Sequence, residues 1–364
     1  MIPIVNHQHR YIFFYSAKAA CTHLRELYLD LHQDEMSLDE LERLDGYHNL
    51  NEVFPLDWSH DHSGYNRFLF TRNPFSRIVS AFLDQYVYQR SEGVSEMLGG
   101  AQPNTFLDFL TLLHQVPDGQ RDTHFQSQSY INSEVQLITQ HNLRYRWLRR
   151  LRSDEYPIRH CYDVSQIGQF LPKFYRKVFA EKADAYALVT HLHNHKPKRN
   201  SLLYSETHIE GAATLSTQEI DDMVFAPRPE SFFADSNVRE LVSDIYRKDF
   251  EHFAYSSKAI PKTTRFGAIA MLPEGFDWQL YIEMNPDVEA DPLVYNERSA
   301  IRHYLEFSPL DDYQRAYNLI APAGFDWQRY VELNPDLSVA GIASQAEAVR
   351  HYQMFGRREK RSFK

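Results

Sequence analysis

The segment FLFTRNPFSRIVSAF, residues 68–82, predicts a strand, a tight loop and a helix in direct succession. Phe68 to Thr71 form a compact apolar run suited to a buried strand, and Ile78 and Phe82 recur at helical spacing. Pro74 stands where the helix begins, a position at which the missing N–H of proline costs nothing. The segment therefore predicts one strand–loop–helix unit.

A second unit of the same kind lies nearer the start of the chain. The apolar run Tyr11 to Tyr15 predicts a strand, and Leu24, Leu27 and Leu31 share one face of a helix predicted over Thr22 to Leu31. Repeated strand–loop–helix units build a parallel sheet whose connecting loops gather at one edge. We therefore expect an α/β fold with a central parallel sheet flanked by helices.

An internal repeat marks the C-terminal part of the chain. The segment GFDWQLYIEMNPDV (Gly275 to Val288) returns as GFDWQRYVELNPDL (Gly324 to Leu337), and each copy continues into a second echo, SAIRHYLEF (Ser299 to Phe307) or EAVRHYQMF (Glu347 to Phe355). In each copy an aspartate, Asp277 or Asp326, can cap a helix that Asn-Pro-Asp then ends. The repeat predicts a small helical module.

The chain length and the repeat together predict the domain plan. A length of 364 residues fits about two domains. We predict an α/β catalytic domain over residues 1–255, a linker over residues 256–270, and a small all-α module of two repeats over residues 271–364.

Composition and charge exclude several classes of protein. A net charge of −10 argues against a general nucleic-acid binder, which needs a basic surface. Two cysteines, Cys21 and Cys161, are too few for a disulfide framework or a structural zinc site, and they fit a reducing compartment. The apolar run Tyr11 to Ala17 is too short to span a bilayer. We expect a cytoplasmic protein with no transmembrane segment.

The first loop, YSAKAACT (Tyr15 to Thr22), can bind a phosphate group. Its small side chains let backbone N–H groups approach an anion, the start of the following helix adds a favourable dipole, and Lys18 supplies a mobile positive charge. The signature GxxxxGK[ST] is absent, which argues against a triphosphate site with bound magnesium. A solvated loop with one lysine is the alternative interpretation of these residues.

The second loop favours the anion-binding interpretation. Arg72 stands at the end of a predicted strand and offers a planar fork of donors, while Ser80, two helical turns on, offers a hydroxyl. Both side chains can reach one phosphomonoester at the start of the helix.

The two loops together resemble a known family. KAACTHLR (residues 18–25) and FLFTRNPFSRIVSAF are similar to the two cofactor signatures of the carbohydrate sulfotransferases, the chondroitin and dermatan type enzymes of sulfotransferase family 2. Those enzymes transfer a sulfuryl group from 3′-phosphoadenosine 5′-phosphosulfate (PAPS) to a sugar hydroxyl. The resemblance covers roughly residues 10–255 and implies a P-loop-like sulfotransferase fold.

The resemblance also implies roles for individual residues, with no metal required. Lys18 stabilises the leaving group, and Arg72 with Ser80 binds the 3′-phosphate that distinguishes PAPS from ATP. A basic segment that includes Lys198 and Arg199 is implied to lie near the same phosphate. The 5′-phosphate is implied to bind the Thr22 hydroxyl and the loop amides, with Arg25 as a further cation; the loop residues are Ala19, Ala20, Cys21, Thr22 and His23.

Two histidines are candidates for the base that takes the proton of the acceptor hydroxyl. His48 lies 24 residues before Arg72, near where related glycan sulfotransferases place a histidine between the two cofactor loops. His124 lies in DTHF (Asp122 to Phe125), which resembles an acidic-x-His-aromatic segment of the family. An imidazole titrates near neutral pH and can accept a hydroxyl proton.

Thinner matches and two departures complete the comparison with the family. Tyr162-Asp163 resembles a later Tyr-Asp element, and YRKDF (Tyr246 to Phe250) resembles the closing helix. Asn73 stands where the family usually has an acidic residue. The membrane anchor of the Golgi members is absent, which points to a bacterial-style cytoplasmic enzyme.

Two groups of residues allow both a functional and a structural interpretation. His60 and His62 flank Asp61 as in a metal site, although a solvated loop fits them better. Six arginines between residues 144 and 159 form either a solvated helix face or a surface for an anionic acceptor or cofactor.

The residues and the resemblance together predict a PAPS-dependent sulfotransferase that acts by in-line displacement on a carbohydrate, either a polysaccharide or a lipid-linked glycan. The C-terminal repeats resemble modules attached to bacterial glycan-modifying enzymes, which supports such an acceptor. The alternatives are a nucleotide-dependent kinase on a shared fold and a non-catalytic glycan-binding or scaffold protein.

Overall fold

The computed structural model describes residues 2–44, 49–56, 62, 64–89, 91–129, 160–179, 204–262, 266–267, 272–307, 315–319 and 321–363. The chain divides into two compact units. The first comprises Met1–Leu202, Thr207–Asp221 and Pro227–Thr264, and the second comprises Leu203–Glu206, Asp222–Ala226 and Arg265–Lys364. The boundaries at residues 255 and 270 stay a prediction.

A four-stranded sheet forms the centre of the first unit. Its strands, in spatial order, are β1 Ile2–Asn6, β2 Tyr11–Tyr15, β3 Asn66–Thr71 and β4 His160–Asp163. Strands β2, β3 and β4 are parallel to one another, whereas β1 is antiparallel to β2 and forms an edge. The predicted central parallel sheet flanked by helices is confirmed, and the antiparallel edge strand is an addition to the prediction.

The register of the sheet brings the two predicted loops to one edge. Tyr15 pairs with Phe70, and Thr71 pairs with Asp163. Because β2 and β3 are parallel and end nearly level, the segments after Tyr15 and Thr71 leave the sheet side by side. The carboxyl edge of the sheet therefore positions both loops.

Strand β2 is buried on both faces, which explains its continuous apolar sequence. On one face Phe13 joins a cluster that includes Leu24 of the following helix and Phe170. On the other face Ile12 packs with Leu69 of β3. Two packed faces hold this strand, and with it the start of the first loop, in place.

The helices of the first unit surround this sheet. Among the described residues they are α1 Cys21–His32, α2 Leu38–Arg43, α3 Leu50–Val53, α4 Pro74–Ala81, α5 Glu92–Met97 and α6 Phe106–Gln115, then Ile167–Val178, Thr217–Asp221, Ser236–Ile245 and Arg247–His252. Short 3₁₀ helices are Gln33–Glu35, Asp118–Gln120, Val164–Gln166, Ala212–Thr214 and Pro229–Phe233.

The two predicted helices are present with small differences. The helix predicted over Thr22 to Leu31 is α1, which is one residue longer at each end. The helix predicted after Pro74 is α4, and it continues as a π-helix over Phe82–Tyr88. In a π-helix each backbone amide donates to the carbonyl five residues earlier rather than four, and such segments frequently occur at functional sites.

The second unit contains both copies of the repeat. Its described helices are Trp278–Glu283, Pro286–Glu289, Glu297–Phe307, Trp327–Leu333, Pro335–Val339 and Gln345–His351, followed by the π-helix Tyr352–Gly356. A two-stranded parallel sheet pairs β5 Tyr204–Ser205 with β6 Phe266–Gly267, which lies in the predicted linker.

The two copies of the repeat agree in their helix caps and in the arrangement of their Asn-Pro-Asp segments. Asp277 accepts hydrogen bonds from the amides of Gln279 and Leu280, and Asp326 caps the second copy in the same way. The Asn-Pro-Asp segment ends this helix as predicted, and in addition its proline begins the next short helix.

A third correspondence between the copies was not recognised in the sequence. Arg315 forms an ion pair with Asp287 at 2.7 Å, and Arg361 forms one with Asp336 at 2.7 Å. The arginines follow the second echo at different spacings, which hides the match in the linear sequence.

No helix in the described part of the chain is long and apolar enough to cross a membrane.

Candidate functional site

The first loop is a tight turn with two residues in the left-handed region. The amide of Ala19 donates to the carbonyl of Ser16 at 3.0 Å. Lys18 has a φ of 66° and Ala20 a φ of 58°, although neither is a glycine. Each such residue costs about 1 kcal/mol or more, and strain of this kind is concentrated at functional sites. The loop adopts this backbone conformation despite its cost in free energy.

The turn leads directly into α1 and leaves backbone donors available. The amides at the start of a helix have no acceptor within the helix. Those of Ala20, Cys21 and Thr22 have no hydrogen-bond acceptor among the described residues, and neither has the Thr22 hydroxyl. The residues that the sequence assigned to a phosphate therefore present a group of donors at a positive helix end.

The side chain of Lys18 is held by a carboxylate that sequence analysis did not identify. Its Nζ lies 2.7 Å from Oδ2 of Asp84, and both side chains are largely buried. Asp84 belongs to the π-helix and also accepts hydrogen bonds from Gln85 and Gln89. The Asp84 carboxylate, which lies in the π-helix, therefore fixes the position of the lysine amine.

The second loop begins with Arg72 and is closed by the cap of α4. The Asn73 side chain accepts a hydrogen bond from the Phe75 amide at 3.0 Å, so an asparagine in place of the family's acidic residue still caps the helix. The Arg72 guanidinium donates through Nη1 to the carbonyl of Lys18 at 3.2 Å. The two loops are therefore in direct contact.

Ser80 lies in α4, on the same strand–loop–helix unit as Arg72. The residue is 5% exposed, and its hydroxyl makes no hydrogen bond to another described residue. A hydroxyl without a protein partner can exchange hydrogen bonds with a ligand. This observation fits the predicted role of Ser80 in anion binding.

Gln128 joins the two loops and was missed by sequence analysis. Its fully buried carboxamide accepts hydrogen bonds from the Arg72 amide at 2.8 Å and the Ser16 hydroxyl at 3.2 Å. Its Nε2 donates to the Arg72 carbonyl at 2.8 Å. One side chain therefore fixes the backbone after β3 relative to the backbone after β2.

The predicted closing helix holds Gln128 in turn. Asp249 is fully buried in the helix Arg247–His252 and accepts hydrogen bonds from the amides of Gln128 at 2.9 Å and Ser129 at 2.7 Å. Burial raises the pKa of the Asp249 carboxyl, while the nearby Arg77 guanidinium and the two amides oppose that rise. The hydroxyl of Tyr246 donates to the Phe125 carbonyl at 2.8 Å and secures the same segment.

Arg77 is a buried cation behind the first loop. Its Nε donates to the carbonyl of Ala17 at 3.0 Å, and its guanidinium lies 5.9 Å from the centre of the Tyr246 ring. Its Nη2 is buried and has no hydrogen-bond partner among the residues that the structure describes. Arg77 connects α4 to the backbone of the loop that contains Lys18.

The predicted Tyr-Asp element lies at the same edge of the sheet. Asp163 accepts a hydrogen bond from the Tyr255 hydroxyl at 2.7 Å, and that hydroxyl lies 2.8 Å from Thr71 at the end of β3. Burial raises the pKa of Tyr255, so the phenol keeps its proton and its donor role. The element fixes the end of β3, directly before Arg72.

Among the two candidate bases, His124 is oriented by Asp122. The ring Nδ1 and the backbone amide of His124 each lie 2.8 Å from Oδ1 of Asp122. Partial burial of Asp122 opposes ionisation, but the hydrogen bonds from His124 outweigh it and lower the pKa of the carboxyl. An ionised carboxylate only accepts, so the Nδ1 atom holds the proton and the Nε2 lone pair is left to accept one.

No hydrogen bond or ion pair of the described residues joins His124 to Lys18 or Arg72.

Arg25 donates from Nε to the Tyr15 hydroxyl at 2.7 Å, at the end of β2. His62 is buried rather than solvated, with its ring 4.8 Å from that of Tyr65.

Several predicted residues lie outside the described residues. They are His48, His60, Asp61, the arginines between residues 144 and 159, and the segment with Lys198 and Arg199. Their roles stay predictions, as do those of the loop residues.

A family model described as the sulfotransferase family matches residues 3–256. The match spans the sheet, both loops, Gln128 and the closing helix. A significant match is found neither among the curated proteins nor among the solved structures.

Proposed function

The chain belongs to the sulfotransferase family, and from that membership we propose that it transfers a sulfuryl group from PAPS to a hydroxyl of a carbohydrate acceptor. The observation that supports this proposal best is the junction of the two loops through Gln128 and through the Arg72–Lys18 contact. It unites two groups of anion-binding donors, as a nucleotide with separate 3′- and 5′-phosphates requires.

The first loop fits a 5′-phosphate. The backbone amides of Ala20, Cys21 and Thr22 at the start of α1 have no acceptor among the described residues, so they are available to an anion at a positive helix end. The Thr22 hydroxyl adds a donor beside them. Ala19 and His23 are the other members of the proposed loop. Arg25 donates a hydrogen bond to the Tyr15 hydroxyl and so stabilises the strand end from which the loop begins.

The second loop fits a 3′-phosphate. The Arg72 side chain uses Nη1 for the Lys18 carbonyl, and no other hydrogen bond or ion pair of its guanidinium occurs among the described residues. Its remaining N–H groups and the Ser80 hydroxyl match a phosphomonoester in charge and hydrogen bonding. Lys198 and Arg199 are proposed to bind the same phosphate.

PAPS supplies the sulfuryl group when bound and leaves as 3′-phosphoadenosine 5′-phosphate (PAP). Within this chain, Lys18 provides the positive charge that stabilises the leaving phosphate oxygen. The Asp84 carboxylate orients the lysine amine before that charge is needed. Preorganisation of this kind avoids reorientation of the amine during the reaction.

A histidine base is proposed to take the proton of the acceptor hydroxyl. His124 is suited to this role because Asp122 fixes its tautomer and leaves Nε2 as the accepting atom. His48 is the other candidate. Replacing each histidine singly by alanine identifies the base as the one whose loss reduces turnover while PAP affinity is retained.

Cofactor binding tests the proposal directly. We expect calorimetry to show that PAP binds the intact chain more tightly than ATP does, and that Lys18→Ala weakens PAP binding. Lys173→Ala is the matched control, since it removes the same charge from an exposed position on another helix. A chain that binds ATP more tightly than PAP is instead a kinase candidate, and a chain that binds neither nucleotide contradicts the proposal.

The acceptor is tested by incubating the chain with PAPS and a panel of oligosaccharides and measuring PAP release. Release that depends on one class of oligosaccharide identifies the acceptor. PAP binding without release on any saccharide contradicts the carbohydrate assignment and leaves the cofactor assignment intact.

A further inference from the structure

Two histidines and a glutamate meet at the end of the sheet opposite the two loops. His9 lies in the turn between β1 and β2, His32 is the last residue of α1, and Glu35 lies in the 3₁₀ helix that follows. One ligand atom from each residue lies within 4.8 Å of the others. The cluster is next to Tyr11, about 13 Å along β2 from Tyr15 and the first loop.

The distances within the cluster match those between the ligands of a small transition-metal ion. Nε2 of His9 lies 3.0 Å from Oε2 of Glu35, and Nδ1 of His32 lies 2.9 Å from the same oxygen. Ligands about 2.0 Å from a tetrahedral zinc ion are about 3.3 Å apart. The three side chains can therefore close on one ion with small rotations.

A hydrogen bond outside the cluster gives the second ring nitrogen of His32 a partner. The Tyr11 hydroxyl lies 2.7 Å from Nε2 of His32, and both residues are buried. Without an ion, Nδ1 holds the proton that the Glu35 carboxylate accepts, and Nε2 accepts from the Tyr11 hydroxyl; an ion that displaces this proton leaves Nε2 to donate to the Tyr11 oxygen. Metal-binding histidines usually use their second nitrogen in this way.

The His9 ring is positioned by packing and by its turn. It lies 4.6 Å from the Phe179 ring and 5.2 Å from the His32 ring. Its backbone amide donates to the Asn6 side chain at 2.7 Å. A ring held on both sides has less conformational freedom to lose when it binds an ion.

We propose that His9, His32 and Glu35 form a binding site for a divalent transition metal of the zinc class, completed by solvent. Two imidazoles and one carboxylate are a ligand set that zinc accepts with three protein ligands. The site ties the β1–β2 turn to the C-terminal end of α1, whose N-terminal end forms the first loop. Its role is structural, and the sulfuryl-transfer chemistry does not involve it.

The test uses zinc chloride and the full chain after treatment with a chelator. We expect calorimetry to show one tight zinc site, and saturating zinc to raise the melting temperature by about 5 °C when free zinc is a hundredfold above Kd. Cobalt bound at the same site should show the visible absorption bands of a low-symmetry complex with nitrogen ligands.

Variants assign the binding to these residues. His9→Ala and Glu35→Gln should each abolish the tight site and the melting shift, while His114→Ala should leave both unchanged. His114 is a suitable control because it also pairs with a carboxylate, Asp244, at 2.7 Å but has no second histidine in that contact. An absent zinc shift, or a shift of the same size in His9→Ala and Glu35→Gln, overturns the proposal. Glu35→Gln keeps the size of the side chain, so it answers the question if His9→Ala fails to fold.

Discussion

The side-chain amide of Gln128 is hydrogen-bonded to both main-chain polar groups of Arg72. Its Oε1 accepts from the Arg72 N–H, and its Nε2 donates to the Arg72 carbonyl, each at 2.8 Å. The same Oε1 also accepts from Ser16, which belongs to the other loop. A single carboxamide thus holds the strand ends of both loops, and the site depends on it although it contributes no charge.

Replacing Gln128 by alanine should loosen both loops at once. It removes four hydrogen bonds, two with the Arg72 main chain, one with Ser16 and one with Asp249, and leaves the main-chain groups of Arg72 without these partners, so we expect the free energy of unfolding to fall by about 2–3 kcal/mol. The affinity for PAP should fall about tenfold or more. Urea unfolding and calorimetry measure the two effects. Gln126→Ala is the matched control, since within the described segments the only hydrogen bond of that side chain is to the Arg121 carbonyl; equal PAP affinity in folded Gln128→Ala would show that the loops do not need the carboxamide.

Replacing Asp84 by asparagine should strengthen binding of PAP. The substitution removes a negative charge that lies 2.7 Å from the Lys18 amine and competes with an anionic ligand for it. We expect Kd for PAP to fall several-fold at low ionic strength and less at high salt. Turnover should fall, because the amine loses the group that orients it. Calorimetry at two salt concentrations, together with steady-state kinetics, checks both effects, and weaker PAP binding would indicate that Asp84 mainly maintains the binding geometry.

The Asp122 carboxylate should make the chain sensitive to acid. Its pKa in the folded protein lies below the ordinary value of 3.8, so its stabilisation is fully present above that value and is lost as pH falls through the folded-state pKa. The free energy of unfolding of Asp122→Asn should therefore be lower than that of the parent chain near neutral pH. Below about pH 4 the variant should lose less stability with falling pH than the parent chain does. Urea unfolding across the acid range measures this, with the exposed Asp39→Asn as control. Identical pH profiles for Asp122→Asn and the parent chain would rule out this contribution.

Replacing Arg77 by methionine should destabilise the first unit strongly. The change removes the Arg77 charge that favours the ionised form of the buried Asp249, and it removes the hydrogen bond to Ala17, which we expect to cost about 3 kcal/mol. In the double variant Arg77→Met/Asp249→Asn no buried charge is left unpaired, so the loss should be smaller than the sum of the single losses. Urea unfolding of all four proteins gives the coupling. Strict additivity would show that the two groups do not interact.

Replacing the buried tyrosine of either repeat by phenylalanine should have equal effects. Tyr281 lies 2.8 Å from Nδ1 of His303, and Tyr330 lies 2.9 Å from Nδ1 of His351. Each loss should cost about 1 kcal/mol, and the costs should add because the tyrosines belong to separate clusters. Thermal unfolding measures this, with the half-exposed Tyr295→Phe as control. A markedly unequal loss would mean that the two copies are not equivalent.

The sequence alone predicted the features that neighbouring residues determine. Strands β2 and β3, the two loops, α1 and α4 follow from apolar periodicity and from Pro74 at a helix start, and the repeat caps follow from Asp277 and Asp326. Family membership followed from two short segments because the residues of each loop are adjacent in the chain. These features depend on interactions over a few residues, which a linear pattern records.

Only the tertiary structure identified Gln128, Asp249 and Asp84 as residues that support the site. Gln128 is 112 residues from Ser16 and 121 from Asp249, and Asp84 is 66 from Lys18. A glutamine or an aspartate has no special pattern in the sequence around it, since its partners are chosen by how the sheet, the π-helix and the closing helix pack. The local sequence therefore specified the loops, whereas long-range packing decided their relative position and thereby the geometry of the site.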